Sequence, residues 1–137
     1  LVEADVGQTI TCVVTATNSE GSNTATSNEV GPVAGIAPSF TVDPVLSGTP
    51  TVGETLSVTN GTAGGIPAAT FTRAWLRDGA EIAGATGTTR VLTEDDIGAQ
   101  ISVRVTATNS AGSDVAVSNE LGPVVASEPD PDPEPEG

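Results

Sequence analysis

The sequence contains no histidine, lysine, tyrosine or methionine and only one cysteine, Cys12. Without His or Lys the usual general bases and Schiff-base amines are missing, and no Ser or Thr hydroxyl has a base to activate it. The chain is therefore read as a non-enzyme. A single cysteine cannot close a disulfide within the chain, and zinc, haem and iron–sulfur centres lack a ligand set, so no metal or cofactor is expected. Strand pairing and packing must hold the fold. Positive charge is scarce too: Arg73, Arg77, Arg90 and Arg104 face 18 acids, for a net charge of −14. That balance argues against nucleic acid or an anionic membrane as partner, since both call for a cationic surface. No run approaches the roughly 18 apolar residues of a spanning helix, so no membrane insertion is expected.

What the chain does contain is a repeat. Shifting residues 1–35 by 91 positions lays them on 92–126 with 20 of the 35 pairs identical. Thr15-Ala-Thr-Asn-Ser19 falls on Thr106-Ala-Thr-Asn-Ser110, and Ser27-Asn-Glu29 on Ser118-Asn-Glu120. The 137 residues thus divide into the back half of one module (1–35), a whole module (36–125) and a tail (126–137). Thirty-five residues bury too little apolar surface to fold alone. Their front half is expected ahead of Leu1 or on another chain.

The pattern within the module is all β. In Ile101–Ala107, Ile101, Val103, Val105 and Ala107 share one face, and Ser102, Arg104 and Thr106 the other. Further strands are expected at Phe40–Val45, Thr55–Thr59, Thr70–Arg77, Glu81–Ala83, Thr88–Leu92 and Ser113–Leu121, seven in all. Asn60-Gly61, Asp78-Gly79 and Asn109–Gly112 supply turn residues that tolerate positive φ. Twenty threonines, many valines and frequent Gly and Pro point to a two-sheet sandwich. The tail is different material: alternating proline with five of the 18 acids reads as an extended, solvated segment, and without it the charge is −14 + 5 = −9.

Gly48–Leu56, Trp75-Leu-Arg-Asp-Gly79, Ile82-Ala-Gly-Ala85, Asp96-Ile-Gly98 and Val105–Gly112 together resemble the immunoglobulin-like modules found in tandem on phage virion proteins and bacterial surface adhesins. The resemblance spans the module and, through the repeat, residues 1–35. It implies an all-β, immunoglobulin-like two-sheet Greek-key sandwich without a disulfide. Trp75 would be packed between the sheets, and Asp96-Ile-Gly98 would turn the chain into the sixth strand. Leu56 or Val58 and Val103 would occupy the disulfide positions, and with no Tyr after Asp96 the turn alone must fix that crossing. Arg73 and Arg90 stand in phase with the inward residues Trp75 and Leu92, with snorkelling or a carboxylate partner both open.

The structural core is expected to comprise Trp75, Leu56, Val58, Leu92, Ile101, Val103, Val105 and Phe71. The turns are expected at Asp96 and Gly98 with their repeat counterparts Asp5 and Gly7, and at Asp78, Gly79, Asn109 and Gly112. Cys12 matches Val103 and is read as a small buried hydrophobe. Glu94-Asp95-Asp96 has the oxygens for calcium, but Asp95 becomes Ala4 in the first copy while Asp96 and Gly98 recur. That favours a turn in which the Asp accepts a backbone N–H two residues on. Interdomain calcium near residues 29–43 stays open, since Glu29 and Asp43 flank the module junction, although two carboxylates are a thin ligand set. Asn60-Gly-Thr62 fits a glycosylation acceptor and, more simply, a turn.

The resemblance implies a structural and adhesive role on a virion, as a capsid or tail appendage or a decoration, with weak multivalent contact to host-surface glycans. A stalk or filament repeat of a secreted bacterial adhesin is the alternative. Partners would then be neighbouring modules or virion subunits, and the location a virion or bacterial surface.

Overall fold

A computed structural model describes residues 1–128, so Pro129–Gly137, most of the acidic proline-rich tail, lies outside the described residues. Strands are β1 (Val13–Asn18), β2 (Gly21–Thr26), β3 (Phe40–Val42), β4 (Val45–Ser47), β5 (Thr55–Thr59), β6 (Thr62–Ala63), β7 (Thr70–Arg77), β8 (Ala80–Glu81), β9 (Thr89–Val91), β10 (Ile101–Asn109) and β11 (Gly112–Val117). Two single-turn 3₁₀ helices, Glu3–Asp5 and Glu94–Asp96, stand 91 residues apart.

Within 36–125 the strands form two layers. One is the sheet β8-β7-β10-β11; the other is β4-β5-β9, with β3 and β6 paired beside it. The chain passes from β5 to β7, back to β9, and across again to β10. This division, with the β7, β10 and β11 strands facing the β4, β5 and β9 strands, is the immunoglobulin-like sandwich. Alternation explains it: Leu56 and Val58 from one sheet meet Trp75, Val103 and Val105 from the other. Leu46, Leu92, Ala99, Ile101 and Val124 complete the core, and Phe40, Phe71 and Ile82 pack on its edge.

The details depart from the simple strand pattern for local reasons. Phe40–Val45 splits into β3 and β4 because buried Pro44 has no N–H to give the ladder. Ser113–Leu121 stops as a strand at Val117, where Ser118 Oγ takes the Val103 N–H at 2.9 Å in place of a backbone carbonyl. The chain resumes with an antiparallel bridge from Leu121 to Ile101, then parallel bridges from Val124 to Ile97 and from Val125 to Thr51. The Glu81–Ala83 strand is instead Ala80–Glu81, and β6 was not anticipated.

One glycine tests the β5–β6 turn. Gly61 has φ +75°, and a Cβ there would meet the Val42 carbonyl oxygen, with Asp43 C and Pro44 N at 2.9 Å. Gly79 has a similar φ of +81° but open space around it. Gly61→Ala is expected to cost at least about 2 kcal/mol, whereas Gly79→Ala is expected to cost about 1, the positive-φ penalty alone. Urea midpoints of the two variants check this difference.

Candidate functional site

Asp96 is fully buried, and the chain gathers two arginines around it. Its Oδ1 accepts from Arg77 Nε at 2.9 Å and Arg77 Nη2 at 2.6 Å. Arg90 Nη2 reaches Oδ1 at 3.2 Å and Oδ2 at 3.1 Å. The Thr93 backbone N–H donates to Oδ2 at 2.9 Å, closing the 3₁₀ turn. Arg77 ends β7 and Arg90 lies in β9, so this one carboxylate ties the two sheets together. Burial alone would raise the Asp96 pKa. The Thr93 N–H, the Arg77 hydrogen bonds and the charges of Arg90 and Arg77 outweigh it and hold the carboxyl below its ordinary value.

This geometry corrects two expectations. Asp96 does not cap the residue two ahead; it reaches back three residues to Thr93, because the segment winds into a 3₁₀ turn. Nor does the turn fix the crossing unaided, since two guanidiniums grip it. Arg90 takes the carboxylate partner. Arg73 instead donates to the Thr86 carbonyl at 3.2 Å and to Asn60 Oδ1 at 2.9 Å, which engages the Asn of the Asn-Gly-Thr sequence. Arg104 pairs with Glu81 at 3.0 Å on the surface. All four guanidiniums are thus engaged by oxygens of the chain itself.

Of the core candidates, Trp75, Leu56, Val58, Leu92, Ile101, Val103 and Val105 are buried, whereas Phe71 is half-buried against Phe40 with ring centroids 6.2 Å apart. Trp75 Nε1 donates to the Gly87 carbonyl at 2.9 Å. Asp78 has φ +50° and Gly79 φ +81°, as a tight hairpin needs. Asp78 Oδ1 also accepts the Gln100 N–H at 2.9 Å. Asn109 Oδ1 takes the N–H groups of Ala111 at 2.8 Å and Gly112 at 3.2 Å. Gly98 and Gly7 share a left-handed φ, +83° and +81°. Among the described residues no group of three or more His, Cys, Asp or Glu side chains is placed to hold a metal.

The first copy keeps the local geometry of the second. Asp5 Oδ2 accepts the Val2 N–H at 2.7 Å as Asp96 accepts that of Thr93. Ser27 Oγ takes the Cys12 N–H at 2.9 Å as Ser118 takes that of Val103. Bridges Val6–Val33 and Ile10–Val30 match Ile97–Val124 and Ile101–Leu121. The surroundings differ. β1 pairs with β2 alone, whereas β10 pairs with β11 and also with β7. Cys12 is consequently exposed, not buried, because no β7 or β5 covers its face.

No protein-family model matches the chain, and no curated protein matches it. Among solved structures it is similar to Sidekick-1 immunoglobulin domains 1-5 at 21% identity, over 82% of this chain and 24% of that chain, with a TM-score of 0.42. A chimeric titin Z1Z2-Z1Z2 tandem functionalized with a GRGDS exogenous peptide from fibronectin is 24% identical, over 86% of this chain and 64% of that chain, with a TM-score of 0.39. A chimeric titin Z1Z2 functionalized with a KLER exogenous peptide from decorin is 25% identical, over 68% of this chain and 99% of that chain, at 0.34. The immunoglobulin-like topology rests on the strand order itself.

Proposed function

We propose that the chain is a non-enzymatic structural and adhesive module displayed on a phage virion, as part of a capsid or tail appendage or a decoration. The observation that carries this reading is that, apart from the exposed Cys12, its few reactive side chains are spent on its own fold. The four arginines bind chain oxygens, and the one Trp is a core residue. The exposed faces are Thr- and Ser-rich and acidic, suited to hydration and to weak, repeated contact by loop tips. Host-surface glycans are the proposed ligands, and neighbouring modules or virion subunits the structural partners. Nucleic acid and membrane lipid do not suit the net charge of −14.

The test is a glycan array probed with the full chain, as a monomer and as a streptavidin-clustered tetramer. Binding is expected only from the tetramer, with an avidity gain of about 100-fold or more. Silence from the tetramer across host-type glycans would overturn the adhesive half of the reading and leave a structural module.

A further inference from the structure

Asn60 stands apart from the other five asparagines in two ways. It alone precedes glycine. Among the described residues it is also the one asparagine whose side chain meets a charge, Arg73 Nη1 at 2.9 Å. Asn18, Asn23, Asn28, Asn109 and Asn119 bond to backbone groups instead. Arg73 is the odd member of its own set. Arg77 and Arg90 hold Asp96 and Arg104 holds Glu81, whereas the half-buried Arg73 rests on two neutral oxygens, Asn60 Oδ1 and the Thr86 carbonyl.

That pairing sits on a reactive dipeptide. When Gly61 N gives up its proton to hydroxide it can attack Asn60 Cγ, because glycine has no side chain to shield its nitrogen. The new C–N bond closes a five-membered imide, the Cγ–Nδ2 bond breaks, and Nδ2 leaves as ammonia with a proton from water. Water then opens the imide. Its attack at Cγ breaks the new bond and leaves an aspartate in an unaltered main chain. Attack at the Asn60 backbone carbonyl breaks the old peptide bond and leaves an isoaspartate, with Cβ inserted into the main chain.

The groups that must be free are free. Among the described residues neither the Gly61 N–H nor Asn60 Nδ2 has a hydrogen-bond partner, and Nδ2 is not sealed from solvent. The Arg73 guanidinium, donating to Oδ1, draws electrons from Cγ and stabilises the oxyanion that forms there on attack.

We infer that Asn60 is a self-modification site, converted through an imide with Gly61 to an aspartate that Arg73 holds. The fold selects between the two products. Gly61 packs so closely on the 42–44 segment that a Cβ would meet the Val42 carbonyl oxygen, with Asp43 C and Pro44 N at 2.9 Å. An extra main-chain carbon displaces that contact. The aspartate keeps every main-chain atom and exchanges Nδ2 for an anionic oxygen, so the bond from Arg73 becomes charge-assisted, roughly twice as strong as a neutral one. Asp43, whose backbone lies against Gly61, is exposed, and water screens its charge from the new carboxylate.

The experiment incubates the full chain at mildly alkaline pH, folded and in urea, and maps position 60 by proteolysis and mass spectrometry with an isoaspartate-specific readout. Asn60 is expected to convert ahead of the other five asparagines. In the folded chain aspartate should exceed isoaspartate, the reverse of the ratio in urea. Asn60→Asp should raise the ratio of folded to unfolded chain by about 5-fold, and the gain should vanish in an Arg73→Gln background. An Asn60 that stays an amide in the folded chain while converting in urea would overturn the inference. So would an isoaspartate excess in the folded chain, an Asn60→Asp chain no more stable than the parent, or a gain that survives Arg73→Gln. The product map needs only the parent chain, so it decides the matter even where Arg73→Gln does not fold.

Discussion

Asp96→Ala is expected to lower stability by about 3 kcal/mol, toward the low end of what breaking a buried ion pair costs. The substitution leaves two guanidiniums without their shared anion and frees the Thr93 N–H. Water moderates the loss, because the Arg77 side chain is 32% exposed and that of Arg90 17%. Asp96→Asn keeps the size but turns an amide N–H₂ toward a guanidinium, with an expected loss of about 1–3 kcal/mol. The sign of the pH dependence follows from the depressed Asp96 pKa. Its contribution is complete above the unfolded carboxylate value of about 3.9 and is lost as pH falls through the lower folded value. The stability difference between the parent and Asp96→Asn should therefore hold constant from neutral pH down to about 4 and shrink below it. Urea titrations at a series of pH values measure that difference directly.

Trp75→Ala should cost more, about 3–5 kcal/mol, the range for emptying a large aromatic site in a packed core. Trp75 is fully buried between Leu56 and Val58 of one sheet and Val103 and Val105 of its own, with no disulfide to hold the layers if the centre is hollowed. Trp75→Phe fills most of the volume but leaves the Gly87 carbonyl without its 2.9 Å donor, for an expected loss of about 1–3 kcal/mol. Because Trp is the only indole, unfolding of both variants is followed by far-ultraviolet circular dichroism.

The sandwich was legible where one residue type repeats at one period. The alternation at Ile101, Val103, Val105 and Ala107 needs only a strand and an apolar side to bury, and all four are fully buried. The Asp96 clasp was not legible as a clasp. Its arginines come from strands in different sheets, 19 and 6 residues away, and a local turn rule accounts for a recurring Asp just as well. The available signal was the arginines themselves: Arg77 and Arg90 stand in phase with Trp75 and Leu92, and an inward guanidinium needs oxygen acceptors, which a carboxylate supplies here and a carbonyl and an amide supply for Arg73. Cys12 shows the limit of reading burial from a repeat. A matched position carries over its backbone partner, Ser27 for Ser118, but not the strands that cover it. Pro44 was visible in the sequence, and its missing N–H already marked where the first strand breaks.

The central claim is that two copies of one repeat, identical at 20 of 35 positions, occupy a closed sandwich at β10 and an open half at β1. Site-resolved amide hydrogen exchange on the full chain tests it most directly. The amides of Ile101–Asn109 should exchange only with global unfolding, and those of Val13–Asn18 at least about 1,000-fold faster. Equal protection of the two strands would contradict it, since β1 would then be covered as β10 is.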